Sequence, residues 1–458
     1  MKYFYIICCL LFWSSVTAEK KSACSDNEKA ETLRISVFDI DATPPVGSWL
    51  AYDPMVNGWD LSLRARGIVI TGADKPIVLC AIDWIGISND SQDAFKSALA
   101  EAAGTTPTHV VVHTLHQHDA PICDFSAEEM LKTAGLTPTS FDGSFARQMI
   151  ARLQQAVAAS LPNAQPLTHI KTGKAPVYQV ASNRRIIKAD GTLETRYTAC
   201  RDSALRSKPE GLIDPDVSLI SFWNEDKPVA VLSFYATHPQ SYYLTKIANP
   251  DFPGIARFYR QLAVPEALHI HFNGAGGNIG AGKYNDGSPE NRLILAERLA
   301  EGMKNAWESS QSYAITPKDV SWGVEPVLLP IAEGLEETIE KEMQTKDMRY
   351  LTNNMGQLGW IKRRKAGKAI DIACFKVGDA RVLFMPGELF VEYQLAAKAL
   401  RKDLFVTMAA YGDYGPFYIG TAEAYQQGGY EIQSSPVTAG AEAILMDAIK
   451  KLLPAMPE

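Results

Sequence analysis

Histidine is the residue type whose positions in this 458-residue chain most strongly indicate chemistry. Of the eight histidines, four fall within ten positions, and these are His109, His113, His116 and His118. Because side chains alternate along an extended chain, His116 and His118 point to the same side. Two imidazoles on one side can bind a metal ion or transfer protons. A single histidine at a strand end is more often a hydrogen-bonding residue, and we assign that role to His109, His169 and His269.

Polar loops also follow several other predicted strands, at residues 237–239, 273–278, 386–388 and 411–418. They carry His238, a glycine run, Glu388 and several tyrosines that include Tyr418. In open α/β sheets, ligands bind beyond the carboxyl ends of strands, where loops from different strands converge. Two histidine loops, a glutamate loop and a tyrosine loop that meet there would form a metal site with mixed nitrogen and oxygen ligands.

Several common functional motifs are absent. The glycine loop lacks the third glycine of a dinucleotide-binding motif, because Ile279 stands at that position. HExxH, GxSxG and GxxxxGK[ST] do not occur, which argues against the usual zinc proteases, α/β-hydrolases and nucleotide triphosphatases. The formal net charge is −7, and no block of Lys and Arg is present, so we expect no nucleic-acid partner.

Helices and strands that could position these residues alternate along the chain. The predicted helices are residues 91–103, 144–160, 289–307 and 440–453. The predicted strands are residues 69–83 with a turn at 72–76, 109–113, 229–237, 268–272, 381–384 and 404–408. Apolar β-branched runs between helices predict an α/β fold, with mixed β-sheets flanked by helices and a metal site at the carboxyl ends of strands.

The remaining patterns indicate surface features and a single domain. The glutamate-rich residues 333–349 predict a solvent-exposed helix, and the basic residues 362–365 predict a surface turn. We find no internal sequence repeat, no low-complexity tract and no linker. The chain after residue 18 is therefore predicted to form one large domain.

Residues 1–18 predict a secretory signal, with a basic start, an apolar run and a small-residue cleavage site, so that the mature chain would begin near Glu19. The apolar run is shorter than the roughly 20 residues of a membrane span, and no later stretch is long and apolar enough. The signal includes two of the seven cysteines, and the remaining five contain no CxxC pair, which argues against a disulfide framework or a thiolate metal site. We expect a secreted or periplasmic bacterial protein, without lipid on Cys24 because Lys21 is unsuited to that motif.

The order of these motifs resembles that of the neutral/alkaline ceramidases, zinc amidases that cleave N-acyl sphingosine. The resemblance extends over nearly the whole mature chain. The matching segments are Phe38-Asp39-Ile40-Asp41-Ala42-Thr43-Pro44-Pro45, Arg64-Ala65-Arg66, His116-Gln117-His118-Asp119-Ala120-Pro121, Asn183-Arg184, Ala236-Thr237-His238, Asp251-Phe252-Pro253-Gly254, Pro386-Gly387-Glu388, and Tyr418 with Tyr430. The histidine segment is similar to the family's HTHSGP.

The resemblance implies a role for each matching residue. The implied zinc ligands are His116, His238, Glu388 and Tyr418. His118 would then lie beside the metal and transfer protons. Tyr430 and Arg184 would donate hydrogen bonds to the oxyanion, and Asn278 with the amides of residues 276–277 would supply further donors.

The chain departs from the family at two points. Gly280 stands where the family has a serine at the end of its glycine loop, which puts serine-assisted cleavage and ceramide itself in doubt. The family's enzymes also carry an immunoglobulin-like C-terminal domain, for which the sequence shows no counterpart. We therefore expect residues 19–458 to form a catalytic domain alone.

These patterns lead to the hypothesis of an exported zinc-dependent hydrolase that cleaves an amide (N-acyl) or ester bond. The alternative is a metal-containing binding protein of the same fold that lost turnover with the serine. The sequence does not distinguish zinc from manganese or iron as the bound metal. We expect a small-molecule or lipid-like N-acyl substrate, no protein partner, and a shallow, polar cleft, because residues 280–287 are mostly polar or small.

Overall fold

Three mixed β-sheets organise the part of the chain that this computed structural model describes, residues 32–345 and 348–454. The predicted signal segment and Cys24 lie outside the described residues. In spatial order, the first sheet contains Val110–Thr114, Ile77–Ile82, Arg64–Thr71, Arg34–Asp41 and Gln165–Pro166. The second contains Leu268–Asn273, Lys227–Tyr235, Asp216–Asn224, His169–Pro176 and Gln311–Ala314. The third contains Phe405–Ala409, Ala380–Phe384, Ile370–Val377 and Val320–Val327.

The three sheets share one topology. In each sheet, three strands pair antiparallel, and a helix then leads to an edge strand that pairs parallel with the third. The three helices that make this crossover are Asn89–Ala103, Asp251–Ala263 and Val391–Leu400. The sequence shows no internal repeat, so the repetition lies in the hydrogen-bonding pattern alone.

The inner faces of the sheets meet in one apolar core. A single cluster of buried side chains includes residues of all three sheets, such as Ile70, Phe234 and Phe375. The Phe272 ring of the second sheet lies 6.0 Å from the Phe384 ring of the third. Such central strands are buried on both faces, which explains their nearly continuous apolar sequences.

Helices cover the outer face of each sheet. The helices Asn89–Ala103 and Ser144–Ser160 share a core cluster with the first sheet, and Asp251–Ala263 and Glu290–Glu308 share one with the second. Ala441–Leu452 and Val391–Leu400 cover the third. The predicted fold class, α/β with mixed sheets flanked by helices, is therefore confirmed.

The shorter elements lie mainly at the carboxyl ends of the parallel strands. Two-strand ladders join Gly86–Ser88 to Ile122–Asp124, Ser182–Asn183 to Ile279–Gly280, Arg185–Ile187 to Leu193–Thr195, and Glu388–Leu389 to Tyr418–Ile419. The remaining helices are Phe125–Thr133, Ser203–Ser207, Leu335–Thr345, Met348–Lys365, Ala422–Gln427 and Tyr430–Gln433. Among the described residues, no helix combines the length and apolar composition that crossing a membrane requires.

The predicted elements are found within a few residues of their predicted bounds, with one error of type. Residues 362–365 form the last turn of the helix Met348–Lys365 and not a surface turn. Four basic side chains at a helix C-terminus are favoured by the helix dipole. The charge pattern alone did not distinguish such a helix end from a surface turn. The glutamate-rich stretch is helical as expected, but it is not wholly solvent-exposed, because Ile339 is buried.

The edge strands converge where the three sheets meet. The Asn273 amide donates to His113 Nε2 at 2.9 Å, and the Ala410 amide donates to the Asn273 carbonyl oxygen at 3.0 Å. His113 Nδ1 lies 2.6 Å from the Ala410 carbonyl oxygen. One residue at the end of each parallel edge strand thus takes part in a single hydrogen-bonded junction. The loops that leave this junction build the site described next.

Candidate metal centre

His116 lies two residues beyond the strand Val110–Thr114 and is buried. Its Nδ1 is 2.7 Å from the Ile85 carbonyl oxygen, so Nδ1 carries the proton and the Nε2 lone pair is free to bind a cation. His116 has a φ of 66°, and its ring stacks at 4.6 Å on Tyr411, whose φ is 57°. Non-glycine residues in this left-handed region are strained, and such strain concentrates at functional sites.

Glu388 follows the strand Ala380–Phe384 of the third sheet and is also buried. Backbone pairing places it beside Tyr418, and its Oε1 accepts a 2.8 Å hydrogen bond from the Tyr414 hydroxyl. Its Oε2 lies 3.4 Å from His116 Nε2. Burial raises the pKa of Glu388, but His116, Arg184 and the Tyr414 hydrogen bond outweigh burial and hold that pKa below its ordinary value. The carboxylate is therefore ionised and able to bind a cation.

His238 follows the strand Lys227–Tyr235 of the second sheet. Its backbone amide donates to the Ile279 carbonyl oxygen at 3.1 Å, which anchors the histidine to the glycine loop. Its Nδ1 lies 3.7 Å from Glu388 Oε2, and its Nε2 lies 3.0 Å from His118 Nε2. One predicted ligand from each sheet therefore reaches the same point.

The spacing of these atoms fits a divalent cation. Two ligands about 2.0 to 2.2 Å from a tetrahedral ion lie roughly 3.3 to 3.6 Å apart. The 3.4 Å between His116 and Glu388 and the 3.7 Å between His238 and Glu388 are close to that range. Glu388 Oε2 and His238 Nδ1 are buried without a hydrogen-bond partner, which costs about 1 to 3 kcal/mol per group unless something else satisfies them. A cation bound among these atoms would satisfy both.

His118 completes a cluster of three histidines. One ring nitrogen of each lies within 4.8 Å of the others, in an arrangement that could hold a metal ion. The Tyr52 and Tyr243 rings lie 5.4 and 5.1 Å from the His118 ring. Desolvation, together with His116, keeps the pKa of His118 well below its ordinary value. The ring is therefore neutral at pH 7.

Arg184 links the glycine loop to the two predicted tyrosines. Its Nη2 donates to the Gly277 carbonyl oxygen and lies 3.4 Å from the Tyr418 hydroxyl. Its guanidinium carbon is 5.1 Å from the centre of the Tyr430 ring, and its Nε lies 3.6 Å from Glu431 Oε1. Arg184 and Glu431 are both buried, so the carboxylate compensates the charge of the guanidinium. All seven predicted site residues thus lie at one end of the sheets.

A cavity of about 450 Å³ opens over the histidine cluster. Its lining is mostly polar or aromatic and includes all three cluster histidines, Glu388, Tyr418 and Tyr430. Apart from the tyrosines, the apolar residues of the lining are Leu335, Ile339 and Phe417. This polar lining agrees with the predicted cleft, but none of it comes from residues 280–287, on which the prediction rested.

The glycine loop corrects one predicted role. The Asn278 side chain is buried, with its amide nitrogen donating to Glu392 at 2.9 and 3.1 Å and its oxygen accepting from the Val391 amide. The Gly277 amide donates to the Leu389 carbonyl oxygen at 2.8 Å. These donors are used within the fold, so they are not available to an oxyanion. A Cβ on Gly277 would lie 2.2 Å from the Glu388 carbonyl oxygen, so only glycine permits this approach.

Gly280 occupies a position with little room for serine. A Cβ added there would lie 2.7 Å from Thr198 Oγ1 and 3.3 Å from its Cα and Cβ. A serine at this position would therefore force Thr198 to move.

Five residues that contact the site were missed by the sequence patterns, among them Tyr243, which contacts His118, and Glu431, which pairs with Arg184. Tyr411 and Tyr414 lie in the tyrosine-rich loop, whose composition was a usable signal, although only Tyr418 had been assigned a role. Tyr52 contacts His118 from a loop that precedes the second strand, and no motif marked it.

No protein-family model and no curated protein sequence matches the chain. Two solved structures are similar in fold. Neutral ceramidase from Pseudomonas aeruginosa aligns with a TM-score of 0.63 and 15% identity, over 93% of this chain and 75% of that one. A ceramidase complexed with C2 aligns with a TM-score of 0.64 and 15% identity, over 93% and 76%. The predicted neutral ceramidase-like fold is confirmed.

Proposed function

We propose that the protein is a metal-dependent hydrolase that cleaves an amide (N-acyl) or ester bond. The observation that carries this proposal is that Glu388 Oε2 and His238 Nδ1 are buried without a hydrogen-bond partner, close to His116 Nε2, in three residues that line the cavity. Such an arrangement is costly unless a cation is bound. The fold similarity to solved ceramidases supports an amide as the scissile bond.

We assign the metal to four residues, which are His116, His238, Glu388 and Tyr418. A bound zinc ion would supply a Lewis acid that lowers the pKa of water toward about 7 and polarises a carbonyl. The two histidine nitrogens and the carboxylate are ligands that zinc accepts readily, although manganese and iron accept them too. Tyr418 is included because strand pairing holds it beside Glu388.

His118 is the proton-transfer group in this proposal. It is neutral at pH 7, lines the cavity, and lies 3.0 Å from His238 without an assigned hydrogen bond at its own Nδ1. From this position it can accept a proton from the attacking water and return it to the leaving amine or alcohol. It differs from His116 in its Nδ1, which has no hydrogen-bond partner, whereas the Nδ1 of His116 is hydrogen-bonded to the Ile85 carbonyl oxygen.

Arg184 and Tyr430 act on the oxyanion. The guanidinium is buried and held by Glu431 and by the Gly277 carbonyl oxygen, so it is fixed before substrate binds. Fixed donors cost no reorganisation when charge develops in the transition state. Tyr430 lines the same cavity, and its ring centre lies 5.1 Å from the Arg184 guanidinium carbon.

The substrate in this proposal is a small-molecule or lipid-like N-acyl compound whose polar part enters the cavity. The polar lining suits a head group better than a long alkyl chain. We further propose that residues 19–458 act as the catalytic domain of an exported protein, after loss of the 1–18 signal.

The test is metal analysis of the purified protein combined with a screen of N-acyl and O-acyl substrates. We expect about one metal ion per chain and turnover of at least one substrate class, with both lost in Glu388→Gln. Stoichiometric metal with no turnover across the screen would favour the alternative, a metal-containing binding protein. That alternative is kept because Gly280 replaces the serine of the ceramidases that the sequence resembles.

A further inference from the structure

Two chain segments that reach the cavity at Tyr52 carry a concentrated set of exposed apolar side chains, which we call the rim. It consists of Val46, Trp49, Tyr52, Val56, Trp59, Tyr243 and Leu244. Each of these residues is 37–57% exposed, and all come from residues 46–59 and 243–244. Single exposed apolar residues are normal on protein surfaces, but a contiguous group of this kind marks an interaction site.

The two segments of the rim are joined to each other and to the site. The Val56 amide donates to the Lys246 carbonyl oxygen at 3.1 Å, and Trp59 forms a backbone bridge with Ala248. The Tyr52 and Tyr243 rings lie 5.3 Å apart. Because Tyr52 also lines the cavity, the rim is continuous with the cavity mouth.

Leu244 is held in solvent at an energetic cost. It is 54% exposed and has a φ of 65°, a left-handed conformation that bulky residues avoid. Hydrogen bonds on its C-terminal side maintain this conformation, since the Thr245 hydroxyl donates to Asp119 at 2.9 Å and the Lys246 amide donates to Asp53 at 3.0 Å. Strain that holds an apolar side chain away from the core indicates a function for its exposure.

We propose that the rim docks on the surface of an aggregated amphiphile, a micelle or a bilayer, from which the substrate's polar part enters the cavity. This proposal rests on the proposed function for the identity of the substrate. Four of the seven rim residues are Trp or Tyr, the side chains that prefer a lipid–water interface because they combine an apolar ring with a polar group. The head group of one amphiphile then binds in the polar cavity, and its apolar chain lies along the rim.

An amphiphile surface explains the position of the rim better than a protein does. A second copy of the chain, or any other protein seated on the rim, would cover Tyr52 and block the mouth of the cavity. An amphiphile surface instead supplies the substrate at that mouth. The rim therefore lies where substrate delivery requires it.

The experiment measures flotation of the intact metal-loaded protein with vesicles of ether-linked (dialkyl) phosphatidylcholine, which contains neither an N-acyl nor an O-acyl bond. The rim variant is Trp59→Gln with Leu244→Asn, at positions 53% and 54% exposed. Asparagine tolerates the left-handed conformation, so the second change preserves the loop. The matched control is Tyr178→Gln with Leu262→Gln, at positions 72% and 64% exposed and outside the rim. Thermal midpoints and metal content verify that both variants fold.

We expect the wild type and the control variant to bind vesicles equally, and the rim variant to bind about 10-fold more weakly or worse, since two apolar side chains are withdrawn from the interface. Absence of wild-type binding, or equal weakening by the control variant, would overturn the proposal. A dimer that dissociates only in the rim variant, measured by light scattering, would assign the rim to a second copy instead. Because these vesicles contain no substrate, rim-dependent binding without any turnover would remove the proposed function and leave the docking surface standing.

Discussion

The buried histidines form two groups, one in the core and one at the metal centre, and the two groups differ in the hydrogen-bond partners of their ring nitrogens. In the core, His113 has Nδ1 at the Ala410 carbonyl oxygen and Nε2 at the Asn273 amide, so both nitrogens are satisfied by backbone. Three residues later, His116 uses Nδ1 on a backbone carbonyl and points Nε2 at Glu388. The first histidine has no capacity left for a ligand, whereas the second is oriented to bind one.

Burial and spacing therefore do not separate structural from functional histidines. His113 and His116 belong to the same sequence cluster and are both buried. What separates them is whether the second nitrogen finds a backbone partner or faces a carboxylate.

The largest expected effect is at a metal ligand. In His116→Ala, we expect metal content and turnover to fall to background, because the site loses one of its donors while the loop keeps its backbone hydrogen bonds. Atomic absorption and a substrate assay measure both quantities. The matched control is His109→Ala, which removes a partly exposed histidine remote from the cavity and should change neither. Full metal content in His116→Ala would show that His116 is not a ligand.

The next effect separates metal binding from proton transfer. In His118→Ala, we expect the rate to fall by about 10² to 10⁴, the usual contribution of a general base, while most of the metal stays bound. Metal content and kcat measured on the same preparation test this expectation. If the metal is lost as completely as in His116→Ala, His118 is itself a ligand and the proton must pass through another group, such as Tyr430.

A core histidine should respond in stability and not in chemistry. His113→Leu would leave the Ala410 carbonyl oxygen and the Asn273 amide without partners, each of which costs about 1 to 3 kcal/mol. We therefore expect the free energy of unfolding to fall by roughly 3 kcal/mol, measured by urea denaturation, while the folded fraction still binds metal. A loss of metal at unchanged stability would show that His113 belongs to the metal centre and not to the core group.

The smallest effect is in the pH dependence of stability. Burial lowers the pKa of His271 to about 3, so the unfolded chain takes up a proton below pH 6.5 while the folded chain does not. Stability from this residue is thus present above pH 6.5 and is lost as the pH falls toward 3. Between pH 6.5 and pH 5 the loss should approach 2 kcal/mol. His271→Gln removes this contribution, so urea midpoints at the two pH values should differ less in the variant than in the wild type.

Much of the fold was predictable because apolar strands, and the polar loops that follow them, can be recognised from short stretches of the sequence. The strand that precedes His116 begins with three consecutive valines, and a parallel edge strand delivers its loop to a fixed end of the sheet. The site residues that the sequence predicted at that end of the sheet are brought together for this reason. The helix at residues 362–365 was missed because a basic cluster is compatible with either a helix end or a turn.

The rest depends on contacts between distant segments, which no local pattern records. The partners of the Asn278 side chain lie more than a hundred residues away, so its exclusion from the site could not be anticipated. The left-handed conformations of Tyr411 and Leu244 are imposed by their surroundings, since neither residue type favours them. The threefold topology is likewise visible only in the strand pairing.

Anomalous diffraction at the zinc edge, from crystals of the metal-loaded protein, tests whether His116, His238 and Glu388 hold one metal ion. We predict one strong peak about 2.0 to 2.2 Å from a ring nitrogen of each histidine and from a carboxylate oxygen of Glu388. A crystal that contains stoichiometric zinc but shows its peak elsewhere, or at these histidines without Glu388, would contradict the account.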